Sequence, residues 1–108
     1  MATTPSQLGD GQLLNAKADL FTATTATLVT FLRLVNTNTA QELVNIYLLP
    51  SGGTARRIIP VNLKVNAGGM VSVLDDKEVL VLDNGDKIQG DTTTASKVDY
   101  VIGGAEVS

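Results

Sequence analysis

The chain has 108 residues, of which 44% are hydrophobic and 18% are charged, and its formal net charge is -3. This composition is typical of one folded domain and excludes a disordered chain. The chain contains neither cysteine nor histidine, which excludes disulfide frameworks, thiol nucleophiles and most zinc and triad chemistry.

The charges and the first residues argue against nucleic-acid and membrane partners. The 8 Lys and Arg residues are scattered along the chain, so the concentrated positive field that attracts phosphate is missing. The beginning of the chain lacks the basic and apolar regions of a signal peptide, and no apolar run approaches the roughly 20 residues of a membrane span. We therefore expect a soluble, unprocessed chain with no nucleic-acid and no membrane partner.

The first half of the chain contains three predicted strands. Residues 1–11 are rich in Thr, Ser, Gly and Asp, and we expect an arm or loop there that is ordered only by docking. A single domain is expected over residues 12–108. Within it, strands are predicted over residues 19–24, 27–36 and 42–49, each closed by turn-forming residues.

The second half of the chain has shorter predicted strands separated by glycine and proline. A strand over residues 56–65 contains Pro60, which cannot donate to a ladder and is expected at an edge or bulge. Further strands are predicted over residues 70–74, 79–82, 87–90 and 97–107. The Asn-Gly pair at 84–85 predicts a type I′ hairpin turn, and the two glycines at 103–104 predict a bulge or a close approach.

These elements together predict an all-β fold. Leucines occur between Ser6 and Lys17, but glycines interrupt them, and no other window shows a sustained apolar stripe of helical period. About eight short strands recur instead at regular spacing. An antiparallel β-sandwich with a jelly-roll-like arrangement accommodates such strands, because each of its two sheets buries one face in a common core.

The strand over residues 27–36 is apolar on both faces when it is read with the period of a strand. One face carries Leu28, Leu32 and Leu34, and the other carries Val29, Phe31, Arg33 and Val35. Because arginine is rarely buried without a partner, we predict that the face with Arg33 points outward and that the leucine face lies in the core. A chain of this length is too short to build a large core on both sides of a sheet.

The outward residues of this strand and of the next one predict a subunit interface. If the strands over residues 27–36 and 42–49 pair as a hairpin, their outward side chains share one surface, while Val44, Ile46 and Leu48 face the core. The predicted interface residues are Val29, Phe31, Arg33, Asn45, Tyr47 and Leu49. Aromatic residues with an arginine are typical of interface cores. The alternative is that the amino-terminal arm or another strand of the same chain covers this surface.

No catalytic, cofactor or metal site is predicted. The candidate carboxylates are Asp75, Asp76, Asp83 and Asp86, which flank the predicted hairpin. They could form a carboxylate pair or a calcium site, but the spacing and the distal glutamate of an EF-hand are missing, so a solvated turn is the favoured interpretation. We expect a protein that is not an enzyme.

Several short runs carry a resemblance to a known group of proteins. The runs are Leu8-Gly9-Asp10-Gly11-Gln12-Leu13, Asp19-Leu20-Phe21-Thr22, Val35-Asn36-Thr37, Val44-Asn45-Ile46-Tyr47, Arg56-Arg57-Ile58-Ile59-Pro60, Asn84-Gly85-Asp86-Lys87-Ile88-Gln89-Gly90 and Val98-Asp99-Tyr100-Val101-Ile102. In this order, and over nearly the whole chain, they resemble small tailed-phage virion proteins. The resemblance implies a compact β-sandwich that serves as a capsid decoration protein or a tail-associated module. It carries over no catalytic or binding residue.

The resulting expectation is a noncatalytic virion structural protein, a capsid decoration or cement protein that self-associates and stabilises the particle. The resemblance implies a homo-oligomer, with a trimer favoured, that docks on the major capsid or tail protein. The alternative is a tail fibre or baseplate module that recognises a host surface glycan.

Overall fold

The structure is a computed structural model that describes residues 3–74 and 79–107. These residues form ten strands and no helix. The strands are β1 (Thr3–Gln12), β2 (Ala18–Thr22), β3 (Thr27–Asn36), β4 (Glu42–Leu49), β5 (Arg56–Arg57), β6 (Leu63–Val65), β7 (Met70–Ser72), β8 (Leu80–Leu82), β9 (Lys87–Thr92) and β10 (Val98–Val107).

The strands build two antiparallel sheets of five strands each. In sheet A the order is β1-β10-β3, and β7 and β8 both pair with the far side of β3. In sheet B the order is β2-β9-β4, and β5 and β6 both pair with β4. When β5 with β6, and β7 with β8, are each taken as one interrupted strand, the order is that of a jelly roll. The predicted β-sandwich is confirmed.

Ten strands are found where about eight were predicted, for two reasons. The exposed Pro60 divides the predicted strand over residues 56–65 into β5 and β6, because proline has no N–H to donate to a ladder. Residues 1–11 were expected to form an arm or loop, but residues 3–11 belong to β1, which pairs with β10. This part of the chain is therefore an edge strand of sheet A.

A bulge in the middle of β3 decides which of its side chains face the core. Gly103 lies opposite Phe31 and the next residue, Gly104, lies opposite Val29, so Thr30 is an extra residue in β3. One extra residue reverses the alternation of side chains along a strand. The register shift falls at the glycine pair where a bulge was predicted.

The bulge corrects the predicted faces of β3. Val29 is 0% exposed and lies in the core, whereas Leu28 is half-buried and faces outward, so the prediction for these two residues is wrong. The core positions of Leu32 and Leu34 are confirmed, since both are 0% exposed. A Cβ atom on Gly104 would collide with the carbonyl oxygen of Leu28, which is the close approach that the two glycines predicted.

The predicted hairpin over residues 79–90 is wrong. β8 pairs with β3 in sheet A, whereas β9 pairs with β2 and β4 in sheet B. The turn between them therefore crosses from one sheet to the other. Its Gly85 has a φ of 93°, but Asn84 does not have the positive φ that a type I′ turn requires. The Gly85 N–H donates to the carbonyl of Ala23 at 2.7 Å, which holds the turn against the chain that follows β2.

The core lies between the two sheets and takes side chains from both. Its fully buried members include Leu13, Leu32, Leu34, Val44, Ile46, Leu82, Ile88, Val98 and Ile102. The inward positions predicted for β4 are confirmed for Val44 and Ile46, and Leu48 packs against the same cluster. Burial of each such aliphatic side chain contributes roughly 1.5–3 kcal/mol to folding, so the sandwich holds the outer faces of both sheets in fixed positions.

Candidate functional site

The outer side of sheet A carries an exposed apolar surface that begins on β3. Beyond the bulge, Arg33 and Val35 point away from the core, and Phe31 is 36% exposed. The neighbouring strands extend this surface, because Val101 lies opposite Arg33, Met70 opposite Val35 and Val81 opposite Leu28. We call these seven residues the apolar face: Leu28, Phe31, Arg33, Val35, Met70, Val81 and Val101.

The side chains at the margin of the apolar face are the most exposed ones. Met70 is 60% exposed and Val81 is 59% exposed, and both belong to the three-residue strands β7 and β8. Scattered exposed apolar residues are normal on a protein surface, but a contiguous set across three adjacent strands is typical of an interaction surface.

Arg33 is the polar residue within the apolar face. Its Cζ atom lies 5.2 Å from the centroid of the Phe31 ring, a cation–π distance. Among the described residues, its Nε is the one buried side-chain nitrogen or oxygen atom without a hydrogen-bond partner. An unsatisfied buried donor costs about 1–3 kcal/mol.

Two carboxylates share the outer side of sheet A with Arg33. Asp10 on β1 and Arg33 on β3 flank Val101 of β10 in one row across the sheet. Asp99 lies in the next row, opposite Val35, and accepts a hydrogen bond from Gln12 Nε2 at 3.0 Å. The outer side of sheet A therefore carries a positive charge and negative charges on either side of an apolar centre.

The outer side of sheet B is covered by the chain itself. Asn45 is 7% exposed and Tyr47 is 8% exposed. Asn45 Oδ1 accepts hydrogen bonds from Arg57 Nη1 at 2.7 Å and from the Asn62 N–H at 2.8 Å, while its Nδ2 donates to Asp91 Oδ1 at 2.9 Å. We call these residues, with Lys17, the polar network.

Two cations cover Tyr47 within this network. Lys17 Nζ lies 4.2 Å and Arg57 Cζ lies 5.0 Å from the centroid of the Tyr47 ring. The hydroxyl of Tyr47 approaches Asp91 Oδ2 at 3.4 Å. Each polar group of Asn45 and the ring of Tyr47 thus find partners inside the same chain.

The predicted interface residues do not form one surface. β3 belongs to sheet A and β4 to sheet B, so the hairpin on which that surface depended is wrong. Phe31 and Arg33 lie on the apolar face, whereas Asn45, Tyr47 and Leu49 belong to β4, on the other side of the sandwich. Val29 lies in the core. Leu28, Met70, Val81 and Val101 join the surface in their place, and the glycine pair opposite β3 is the sequence signal that could have revealed Leu28.

A buried carboxylate on β4 joins β9 to the loop between β3 and β4 at one end of the sandwich. Glu42 is 1% exposed, and its Oε1 accepts hydrogen bonds from the Thr94 N–H at 2.8 Å and from Thr92 Oγ1 at 3.0 Å. Its Oε2 accepts one from Asn38 Nδ2 at 3.0 Å. Burial raises the pKa of Glu42, but these hydrogen bonds outweigh it and leave the pKa below its ordinary value.

Asn36 completes this end of the sandwich. Its Nδ2 donates to the carbonyls of Ala40 at 2.9 Å and of Val65 at 3.0 Å, and its Oδ1 accepts from the Asn38 N–H at 2.8 Å. Sequence reasoning placed a turn after Asn36 but missed both buried polar groups. The signal was the Asn-Thr-Asn-Thr run followed by a glutamate at the start of a strand.

Of the two candidate carboxylates in the turn before β9, that of Asp86 binds backbone N–H groups. Asp86 accepts from the Ser51 N–H and from the Asp83 N–H, both at 2.9 Å, and these bonds hold its pKa below the ordinary value. Asp75 and Asp76 lie outside the described residues. Within residues 3–74 and 79–107 no pocket and no cluster of three metal-binding side chains is found.

The chain was compared with known protein families, curated proteins and solved structures. No family model, no curated protein and no solved structure matches this chain. Among the described residues, no helix is long and apolar enough to cross a membrane.

Proposed function

We propose that this chain is a noncatalytic structural protein of a phage particle, a capsid decoration protein that stabilises the particle by packing its apolar face against other subunits. The observation that carries the proposal is the apolar face itself, which none of the described residues covers, on a sandwich whose opposite side is covered by its own side chains. Burial of such a surface in an assembly stabilises the assembled state by mass action.

Two further considerations support a particle component. The residues quoted above resemble small tailed-phage virion proteins over nearly the whole chain, and viral capsid domains are among the proteins that use the jelly roll. The comparison with viral capsid domains rests on the fold alone, and one fold serves many functions. The absence of histidine and cysteine from the chain removes the commonest groups of acid-base and nucleophilic catalysis.

The tail fibre or baseplate module that recognises a glycan has less support. Sugar-binding sites commonly use an accessible aromatic ring as a stacking surface. Tyr47 and Tyr100 are only 8% and 9% exposed, and the exposed ring of Phe31 is in contact with Arg33. We therefore retain this module as an outcome of the experiment below and not as a second proposal.

Imaging of purified particles with a labelled copy of the chain tests the proposal. We expect the label over the particle shell, and we expect particles that lack the chain to disassemble at lower temperature until the purified chain is added back. A Phe31→Ser variant should fail to restore stability, whereas the control Arg56→Asp on sheet B should restore it. Absence of the chain from particles would overturn the proposal, and a label confined to the tail tip with glycan binding lost in Asn84→Ala would favour the alternative.

A further inference from the structure

The apolar face has the properties of a surface that binds its own copy. Together with Asp10 and Asp99, which lie beside it on the outer side of sheet A, it presents one basic and two acidic residues around an apolar centre at Val101. A two-fold interface brings the same surface of both subunits together, so it needs a surface that is complementary to itself. A face with only one sign of charge would repel its copy, and this face has both signs.

We propose that the apolar face binds a second copy of this chain in a two-fold dimer in which Arg33 of each copy pairs with Asp10 or Asp99 of the partner subunit. This inference rests on the proposed function and deepens it, because it names the first partner of the apolar face. The carboxylate supplied by the partner subunit pairs with the guanidinium of Arg33, whose buried Nε has no hydrogen-bond partner among the described residues.

The geometry of the sheet supports this pairing. Adjacent strands lie about 4.8 Å apart, so Arg33 and Asp10 are separated by two strand spacings with Val101 between them. A two-fold axis along β10 places Arg33 opposite Asp10 of the partner subunit. An axis across the strands, between the rows of Val101 and Asp99, brings Arg33 beside Asp99 of the partner subunit.

The area available for a dimer is that of the whole outer side of sheet A, which includes the apolar face. The chain extends over 45 × 27 × 21 Å along its principal axes. Two sheets packed about 10 Å apart account for the shortest axis, so the faces of the sheets lie along the two longer ones. A surface of those dimensions can bury the roughly 800 Å² per partner that a standard interface buries.

The outer side of sheet B is a less favourable dimer interface than the apolar face. The donors and acceptors of Asn45 already have partners in the polar network, and Lys17 and Arg57 cover Tyr47. A partner on that side would have to replace satisfied hydrogen bonds, which is unfavourable unless each bond is reproduced.

Sedimentation velocity of the purified chain over concentrations from about 1 to about 100 μM measures the association. We expect a monomer-dimer equilibrium for the unchanged chain. Arg33→Asp should raise the dissociation constant at least ~30-fold, since it replaces an attraction with a repulsion. The control Arg56→Asp makes the same change of charge at an exposed position of sheet B and should leave the constant unchanged.

A mixing experiment tests the self-complementarity directly. One variant carries Arg33→Asp, and the other carries Asp10→Arg together with Asp99→Arg. Each should be monomeric alone because its faces repel each other, and an equimolar mixture should form a heterodimer. Thermal unfolding of each variant confirms that loss of association is not loss of folding.

The outcomes divide as follows. A monomer at the highest concentration, a trimer, a dimer insensitive to Arg33→Asp, or a mixture that fails to associate would each overturn the dimer. The proposed function fails separately, since a chain that dimerises in solution but is absent from particles contradicts only the particle role. A chain found on particles that never dimerises contradicts only this inference.

Discussion

On the outside of sheet B, Asn45 and Tyr47 are nearly buried because Lys17, Arg57, Asn62 and Asp91 of the same chain cover them. On the outside of sheet A, Phe31, Met70 and Val81 stay exposed, and Arg33 Nε has no hydrogen-bond partner. Both surfaces combine an aromatic residue with an arginine, so composition alone does not distinguish them. The two surfaces differ in whether their side chains find partners among the described residues of the same chain, which those of Asn45 and Tyr47 do and Arg33 Nε does not.

The largest effect on the free energy of unfolding is expected at the bulge in β3, which places Leu28 on the apolar face. Gly104→Ala should destabilise the fold by about 3 kcal/mol, because its new Cβ would collide with the backbone of Leu28 in the adjacent strand. Gly103→Ala is the matched control at the neighbouring position, where a Cβ would meet Phe31 Cβ at an ordinary 3.7 Å. Urea unfolding measures both variants, and equal losses would mean that the close approach at Gly104 is unimportant.

The next largest effect on stability is expected at Asn45, and it should distinguish the outer side of sheet B from the apolar face. Asn45→Ala should destabilise the monomer by about 2 kcal/mol, because it leaves groups of Arg57, Asn62 and Asp91 without their partner. Association should not change, since Asn45 lies on the opposite side of the sandwich from the apolar face. Unfolding at concentrations where the chain is monomeric measures the stability, and sedimentation at concentrations where it dimerises measures the association. Weakened association of the variant would contradict the assignment of different roles to the two surfaces.

Acid titration should mainly affect sheet B and the turn that enters it. Among the described residues, the carboxyls whose pKa values lie below the ordinary value are Asp19, Glu42 and Asp86. Hydrogen bonds from Gln89 and Lys87 lower the pKa of Asp19. A carboxyl with a lowered pKa stabilises the fold above its unfolded-state pKa, about 4.3 for Glu, and this contribution disappears as the pH falls through the folded-state pKa.

Glu42→Gln isolates the buried member of this set. We expect the unfolding free energy of the variant to fall less steeply than that of the unchanged chain as the pH is lowered below about 5, since one linked proton is removed. Asn38→Ala, which removes one hydrogen bond to Glu42, should give an intermediate slope. Parallel pH curves for all three chains would contradict the role assigned to this carboxylate.

The smallest effect on stability is expected at Arg33. Arg33→Met should change the unfolding free energy of the monomer by less than about 1 kcal/mol, because the loss of the contact with Phe31 is offset by removal of an unpartnered donor. The same variant should weaken the dimer, which a concentration series detects. A large loss of monomer stability would mean that Arg33 serves the fold of the single chain.

The local sequence pattern was sufficient to predict most of the strands. The bounds predicted over residues 27–36 and 42–49 are those of β3 and β4, because alternating β-branched and leucine residues are bounded there by turn formers. The glycines at 103–104 also act as predicted, because a missing Cβ has consequences that depend little on the surroundings. Pro60 has a larger effect than predicted, since it lies in a break between two strands and not at an edge or bulge within one.

The pairing of the strands was decided by tertiary structure. β1 pairs with β10 at the other end of the sequence, and β3 and β4 separate into different sheets although few residues join them. Local periodicity describes the two faces of a strand, but it does not specify which strands lie beside it. For that reason Asn45 and Tyr47 could not be separated from Phe31 and Arg33.

The same distinction applies to the candidate site. From the order of its residues alone, β3 was expected to be apolar on both faces and to carry Arg33 on the outer one, and both features are present. Only the folded chain shows that Thr30 is the extra residue of a bulge, which places Leu28 outside and Val29 inside. The bulge depends on the backbone of β10 lying against β3, a contact between residues more than half the chain apart, and no local pattern in β3 encodes it.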